Sequence, residues 1–446
     1  MNIRHLASKA VALIFCLLVV AVGAHAQHHH HGIGHVVIIF MENRTPDNLF
    51  QDPNLIANGA DIASSGKNSK GQNIQLTPVP LANNYDLSHA HSAFVAEYDN
   101  GQMDRADKVP VYCNTGAKDC PPANPQFKYV DPSDVQPYFQ LAEQYTFADR
   151  MFQTNQGPSM PAHQFVLSGT SAPTANSDLF DADNPGGVPN ANGNTGCTAP
   201  AKEYVKLIDP LGNESSQQYP CFEHPTLTDL LDNAGISWTY YTPQPNNIWT
   251  APNAIEHIRN GPDWQYVNST PNQIFTDIDN YQLPQVSWVI PAGAESDHPG
   301  GNNGEGPSWV ASIVNAIGQS YYWNDTVIFI TWDDWGGWYD HVAPQVIDDG
   351  QSWGSGYVYG LRVPLIIVSP FVKQGYISHV THDFGSILRF IEENYHLPSL
   401  GYADAYADDF SDCFYGHGHE FKQIRAPLTK EYFINDKRPP TDPDDD

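Results

Sequence analysis

Val327-Ile328-Phe329-Ile330-Thr331-Trp332-Asp333-Asp334-Trp335-Gly336-Gly337 is the stretch that decides the fold. Strand-forming residues run directly into two adjacent carboxylates and a glycine turn. A buried strand of an α/β protein presents ligands in this way at its carboxyl end. Two carboxylates there are hard oxygen ligands suited to a divalent cation. Adjacent acids inside a strand would face opposite ways, but beyond its end the chain can twist so that both reach one ion.

A second segment has the same form. His35-Val36-Val37-Ile38-Ile39-Phe40-Met41 is followed by Glu42, Asn43 and Arg44. Two strands that each end in oxygen ligands point to one metal-centred site. Between and beyond them, strand and helix patterns alternate. Helices are expected at Ser88–Tyr98, Val135–Tyr145, Thr226–Ala234, Ser308–Gly318 and Phe384–Tyr395. Strands are expected at 236–241, 285–291, 326–332 and 365–368. This order predicts an α/β fold with a mainly parallel central sheet and helices on both faces. Residues 51–85 are polar and Gly/Asn-rich, 105–130 are Pro/Cys-rich and irregular, and 172–225 are rich in Asn, Gly and Pro; all three read as loop. The last two read as long insertions in one domain over 35–434.

The chain begins with Arg4, Lys9, the apolar run Ala10–Val22 and the small-x-small site Ala24-His25-Ala26. This predicts a signal peptide over residues 1–26 and a secreted or periplasmic protein. The run is shorter than the roughly 20 residues of a membrane span, and no transmembrane segment is expected after its removal. Residues 27–34, with four consecutive histidines at His28–His31, form a flexible lead. Residues 435–446 read as an acidic disordered tail. With Cys16 removed, Cys113 can pair with Cys120 and Cys197 with Cys221, leaving Cys413 over. No cysteine spacing is that of a zinc ribbon. There are 21 basic and 50 acidic side chains. Nucleic acid is therefore excluded as a partner, because a phosphate backbone needs a basic surface.

Two further segments carry candidate chemistry. Gly157-Pro158-Ser159-Met160-Pro161-Ala162-His163 puts a hydroxyl in a turn before the apolar run Phe165-Val166-Leu167. Asp297-His298-Pro299 lies beyond a strand, and Asp86-Leu87-Ser88-His89-Ala90-His91 offers further histidines. Read singly, each has a plainer alternative: Asn43 or Ser159 as a helix cap, and a histidine as one of 19. The G-x-S-x-G elbow is absent around Ser159, which gives a Ser-His-Asp acyl mechanism little support.

Taken in order, Glu42-Asn43-Arg44-Thr45, Gly157-Pro158-Ser159-x-Pro161, Asp297-His298-Pro299 and Asp333-Asp334-x-Gly336-Gly337-x-x-Asp340-His341-Val342 resemble one family. It is the bacterial phosphoesterase family of phosphocholine-preferring phospholipases C and the respiratory-burst-inhibiting acid phosphatase. The likeness spans about residues 35–400. It implies an alkaline phosphatase-like fold. It also implies one divalent metal ion (Ca, Mg, Mn, Fe or Zn) on Glu42, Asn43, Asp333, Asp334 and Ser159. Ser159 would be the nucleophile, passing through a phosphoserine. His89 and His298 would contact phosphoryl oxygens or the leaving group, with His298 as general acid. The substrate would be a phosphate monoester or a phospholipid head group. Phospholipase C members usually carry Thr in place of Ser159 and Asn-Arg in place of Ala162-His163. A non-catalytic phosphoester-binding relative and an acyl esterase are the alternatives.

Overall fold

The computed structural model describes residues 32–187, 193–347 and 354–441. The expected signal peptide, the histidine run and residues 442–446 of the tail lie outside these. Among the described residues the main sheet has eight strands. They are β1 (His35–Met41), β2 (Thr146–Ala148), β3 (Trp238–Tyr241), β4 (Val267–Asn268), β5 (Val286–Val289), β6 (Thr326–Trp332), β7 (Leu365–Val368) and β8 (Tyr376–Ser378). The order across the sheet is β4-β3-β5-β1-β6-β7-β2-β8. All neighbours are parallel except that β7 runs against β6 and β2. The expected mainly parallel sheet is thus present, with one strand reversed.

Position in the sheet explains the sequence. β1 lies between β5 and β6 and is buried along nearly its whole length, as is β6. A central parallel strand is covered on both faces, so it needs a continuous apolar run rather than alternation. Neighbouring residues still point to opposite faces. Phe40 packs edge-on against His163 and Phe384 on one side. Trp332, in register with Met41, meets Tyr138 on the other. Helices α2 (Gln136–Gln144), α3 (Ser159–Ser168) and α6 (Phe384–Tyr395) carry these partners. The remaining long helices are α1 (His91–Tyr98), α4 (Leu227–Ala234) and α5 (Gly306–Gly318). α4 starts with a capping box at Thr226 and Asp229 and ends on Gly235 in the left-handed region. That is the stop expected of a glycine at a helix C-terminus.

Several loop expectations need correction. Segment 172–225 carries a three-stranded antiparallel sheet, Phe180–Asp181, Val205–Ile208 and Glu214–Gln218. Residues 51–85 include a helical turn at Pro53–Ala57 and three short strands, and a fourth begins at Tyr85. Their polar composition hid them because short strands at a surface bury little apolar area. The start of the expected tail is packed rather than disordered. Thr441 O accepts from Gly293 N at 2.7 Å, and Arg438 Nη2 pairs with Glu305 at 2.7 Å. Cys113–Cys120 and Cys197–Cys221 are disulfides, and Cys413 is free and buried. No described helix is long and apolar enough to cross a membrane.

Candidate active site

Three strands deliver their following loops to one place. Glu42 and Asn43 follow β1, Asp333 and Asp334 follow β6, and Asp297 and His298 lie beyond β5. Backbone bonds tie these loops together: Asp333 N donates to Met41 O, and Glu42 N to Ser296 O, each at 2.9 Å. Asn43 takes a left-handed conformation, φ 61°. Gly336 (φ +63°) folds so tightly over it that an added Cβ would lie 2.5 Å from Asn43 O. Gly337 (φ +69°) passes equally close to Leu87 and Ser88, beside His89. The glycine pair is therefore required by the approach of three backbones.

The carboxylates are held by backbone N–H groups. Asp333 Oδ1 accepts from Asn43 N at 2.9 Å and from Asp334 N at 2.7 Å. Asp334 Oδ1 accepts from Gly336 N at 2.7 Å. Ser159 is the first residue of α3, after Pro158 as N-cap, so it is not the cap. Asn43 is not one either, since Thr45 caps the short helix that follows. Ser159 Oγ lies 3.3 Å from Glu42 Oε2 and 3.4 Å from Asp334 Oδ2. One helical turn later, His163 Nε2 is 3.1 Å from Glu42 Oε1. Its Nδ1 is 3.2 Å from the Tyr240 hydroxyl, which donates to Trp249 O at 2.8 Å. The serine and the histidine thus hold the two oxygens of one carboxylate from one helix face, as i, i+4 spacing permits.

The histidines form the opposite wall. His89 Nδ1 lies 3.0 Å from Leu87 O, and its Nε2 lies 3.2 Å from Asn43 Nδ2. Its ring is 5.7 Å from that of His298. His298 Nδ1 is 2.9 Å from Pro299 O, where it can only donate. That leaves Nε2 with a lone pair and no partner. Burial pushes the His298 ring down to about 3, and the neighbouring His89 adds to this. Burial also pushes His163 down, to about 4, against the charge of Asp333. Arg44 fixes the His298 loop by donating twice to Asp297 O, at 2.6 and 3.1 Å.

Every expected site residue is brought together here, and all are buried. His91, the neighbour of His89, is not. It turns to Glu214, 3.5 Å away. His341 joins a separate ionic cluster with Asp47, Asp61 and Arg362. His163 is the residue that sequence reading missed. It stood out only as a departure from the Asn-Arg of the phospholipases C, although its place four residues after Ser159 was a signal.

Two acceptors decide whether a cation fits. Asn43 Oδ1 and Asp333 Oδ2 are buried and accept no hydrogen bond. Buried polar oxygens are otherwise nearly always paired. An amide oxygen and carboxylate oxygens converging without a basic residue are the donor set of a hard divalent cation.

The sequence model of the Phosphoesterase family matches residues 33–398. The chain belongs to that family. Among its curated relatives, Hemolytic phospholipase C of Pseudomonas aeruginosa is 26% identical over 443 residues, covering 89% of this chain and 58% of that protein. Non-hemolytic phospholipase C of Burkholderia pseudomallei is 24% identical over 427 residues, covering 81% and 55% respectively. The chain therefore spans little more than half the length of these relatives. A solved structure of an alkaline phosphatase superfamily protein from Vibrio parahaemolyticus aligns with 85% of this chain and 71% of its own. Its TM-score is 0.37 at 11% identity, a likeness too distant to bear on chemistry.

Proposed function

We propose that this chain is a secreted, metal-dependent phosphoesterase in which Ser159 attacks phosphorus. One observation carries the reading. The serine hydroxyl stands within 3.4 Å of two carboxylates, beside two buried oxygens that accept no hydrogen bond. Glu42, Asn43, Asp333, Asp334 and Ser159 would hold one divalent cation. When bound, it supplies charge neutralisation for the phosphoryl group and lowers the pKa of the serine hydroxyl. All-oxygen ligation suits Ca, Mg, Mn or Fe, and Zn accepts it too.

Ser159 Oγ forms a bond to phosphorus as the ester oxygen leaves, giving a phosphoserine. Water then displaces the serine and releases phosphate or phosphocholine. His298 enters as a proton acceptor, because its Nδ1–H is spent on Pro299 O. It takes the proton released by the serine or carried by the ester and returns it to the leaving oxygen, so it acts as general acid only after that uptake. His89 binds the phosphoryl oxygens. His163 and Arg44 are positioning residues: the first fixes Glu42, the second fixes the loop of His298.

The substrate is a phosphate monoester or a phospholipid head group. The relatives named as phospholipases C favour the second, and Ser in place of their usual Thr favours the first. Hydrolysis of p-nitrophenyl phosphate and p-nitrophenyl phosphorylcholine, with and without chelator, separates these. Chelator-sensitive cleavage of the first alone identifies a monoesterase, and preference for the second a phospholipase C. Silence on both with metal bound would support a non-catalytic relative. Turnover of p-nitrophenyl acetate that survives chelation would support an acyl esterase.

A further inference from the structure

Four groups of metal-ligating side chains occur among the described residues: Glu42/His163/Asp333, Asp47/Asp340/His341, Glu295/Glu305/Asp436 and His382/Asp412/Cys413. Two already contain a cation. Arg362 bridges Asp340 and Asp47 at 2.9 and 3.3 Å. Arg438 lies among Glu305, Asp436 and Glu295 at 2.7, 2.5 and 4.0 Å. The other two have no guanidinium. One is the catalytic centre. The second lies where the edge strand β8, the start of α6 and segment 408–413 meet.

In that fourth group His382 is almost wholly buried, and Cys413 and Ser378 fully so. His382 Nε2 lies 3.1 Å from Ser378 Oγ and 3.9 Å from Asp412 Oδ1. Cys413 Sγ lies 3.3 Å from the same Asp412 Oδ1. Zinc bonds of about 2.0–2.3 Å in a tetrahedron place neighbouring ligand atoms about 3.3–3.8 Å apart. These three separations bracket that range, and the ligand atoms of His382, Asp412 and Cys413 all lie within 4.8 Å of one another. On the far side of the ring, Asp408 Oδ1 lies 3.0 Å from His382 Nδ1. A carboxylate on the side of the non-ligating nitrogen is where the support of a metal-bound histidine usually stands, although at its present angle Asp408 makes no hydrogen bond to the ring, and His382 Nδ1 has no hydrogen-bond partner of good geometry.

A serine, a histidine and an aspartate in this order also resemble a nucleophile with its base. Two facts oppose that use. Ser378 is fully buried, and its hydroxyl donates to Asp412 Oδ2 at 2.5 Å. The serine is therefore directed at the carboxylate and not at the histidine.

We propose that His382, Asp412 and Cys413, with Ser378 or a water as fourth ligand, bind a structural zinc ion. A thiolate in the ligand set selects a softer metal than the all-oxygen centre does. Burial, and then Asp412, hold the Cys413 thiol protonated well above its ordinary range in the absence of a cation. Binding releases that proton, and the Cys413 sulfur–metal bond replaces the S–H bond. The ion would join two segments remote in sequence, 378–382 and 412–413. One of them reaches the catalytic serine: His382 N donates to Arg150 O at 3.0 Å, and Phe152 N to His382 O at 2.9 Å, on the strand-to-helix connection that ends at Ser159.

Cobalt(II) loaded into the mature protein tests the site. The catalytic centre contains no sulfur, and the other described cysteines are in disulfides. A thiolate-to-cobalt charge-transfer band in the near ultraviolet can therefore arise only at Cys413. The band is expected in the wild type and absent in Cys413→Ser, with metal content lower by one ion per chain. X-ray absorption at the zinc edge of the wild-type protein needs no variant, and a sulfur neighbour at about 2.3 Å is expected. No charge-transfer band in the wild type, a band that survives Cys413→Ser, or a zinc shell of oxygen and nitrogen alone would overturn the proposal. None of these outcomes depends on whether Ser159 hydrolyses a phosphoester.

Discussion

Two carboxylate clusters share the same pair of loops and differ in what closes them. The loop after β1 gives Glu42 to one and Asp47 to the other. The loop after β6 gives Asp333 and Asp334 to one, Asp340 and His341 to the other. Around Asp47 and Asp340 every charge is met. Arg362 grips Asp340 with two bonds of 2.9 Å, reaches Asp47, and donates to Asp61 O and Asp149 O. His341 Nδ1 lies 2.8 Å from Asp47 Oδ2. Around Glu42 and Asp333 no guanidinium enters, and two oxygens accept nothing. The first arrangement braces the loops without any added ion. In the function proposed here the second is completed by a cation, which is how a binding site differs from a staple.

Breaking the two clusters should therefore have different consequences. The largest effect is expected from Ser159→Ala, which removes the attacking oxygen. Turnover should fall on the order of 10⁴-fold or more, while thermal stability stays near wild type and the four remaining ligands still bind the ion at saturating metal. Phosphoester hydrolysis at the wild-type rate would show that another group is the nucleophile. Next comes Arg362→Met. It leaves Asp340 buried without its guanidinium and Asp47 with His341 alone as basic partner, at a cost of about 3–5 kcal/mol in denaturant unfolding. In metal-free protein, Asp333→Asn should cost far less, because an amide oxygen in the place of Oδ1 still accepts from Asn43 N and Asp334 N. Equal losses would erase the distinction between staple and site.

A smaller effect is expected from His163→Gln. Loss of the contact that orients Glu42 should weaken metal binding about 10–100-fold, measured by calorimetric titration. An unchanged affinity would make His163 a packing residue only. The smallest effect belongs to His341. Burial opposes charge on its ring, but the hydrogen bond and charge of Asp47 outweigh this and hold its pKa up, at about 9 against 6.5. The folded state thus binds the proton more tightly. The stabilisation is complete below about 6.5 and is lost as pH rises through about 9. Allowing for partial exposure, it amounts to about 1–2 kcal/mol. The difference in unfolding free energy between wild type and His341→Gln should shrink from about pH 6 to about pH 10. A difference that grows over that range would reverse the assignment.

What could be read in advance followed from local pattern. β6 and β7, at 326–332 and 365–368, and helix 384–395 fall where expected, because continuous apolar runs and caps are written in neighbouring residues. Asp333-Asp334 and Glu42-Asn43 were legible for the same reason: each directly follows its strand. Arg362 was not. Its partners lie 22 and 315 positions away in the chain, and nothing around it marks an arginine for burial. His163 lay between. Its spacing from Ser159 was visible, but its contact with Glu42 depends on β1 and α3 being brought together. The start of the tail misled because its Pro/Asp composition resembles disorder, whereas its order comes from Arg438 reaching Glu305 across the fold.

The most direct measurement is an anomalous diffraction map of crystals soaked in manganese. A peak is expected about 2.0–2.6 Å from oxygens of Glu42, Asn43, Ser159, Asp333 and Asp334, with none between Asp47 and Asp340. A manganese peak among Asp47, Asp340 and His341, or crystals of active enzyme with no metal beside Ser159, would contradict the account.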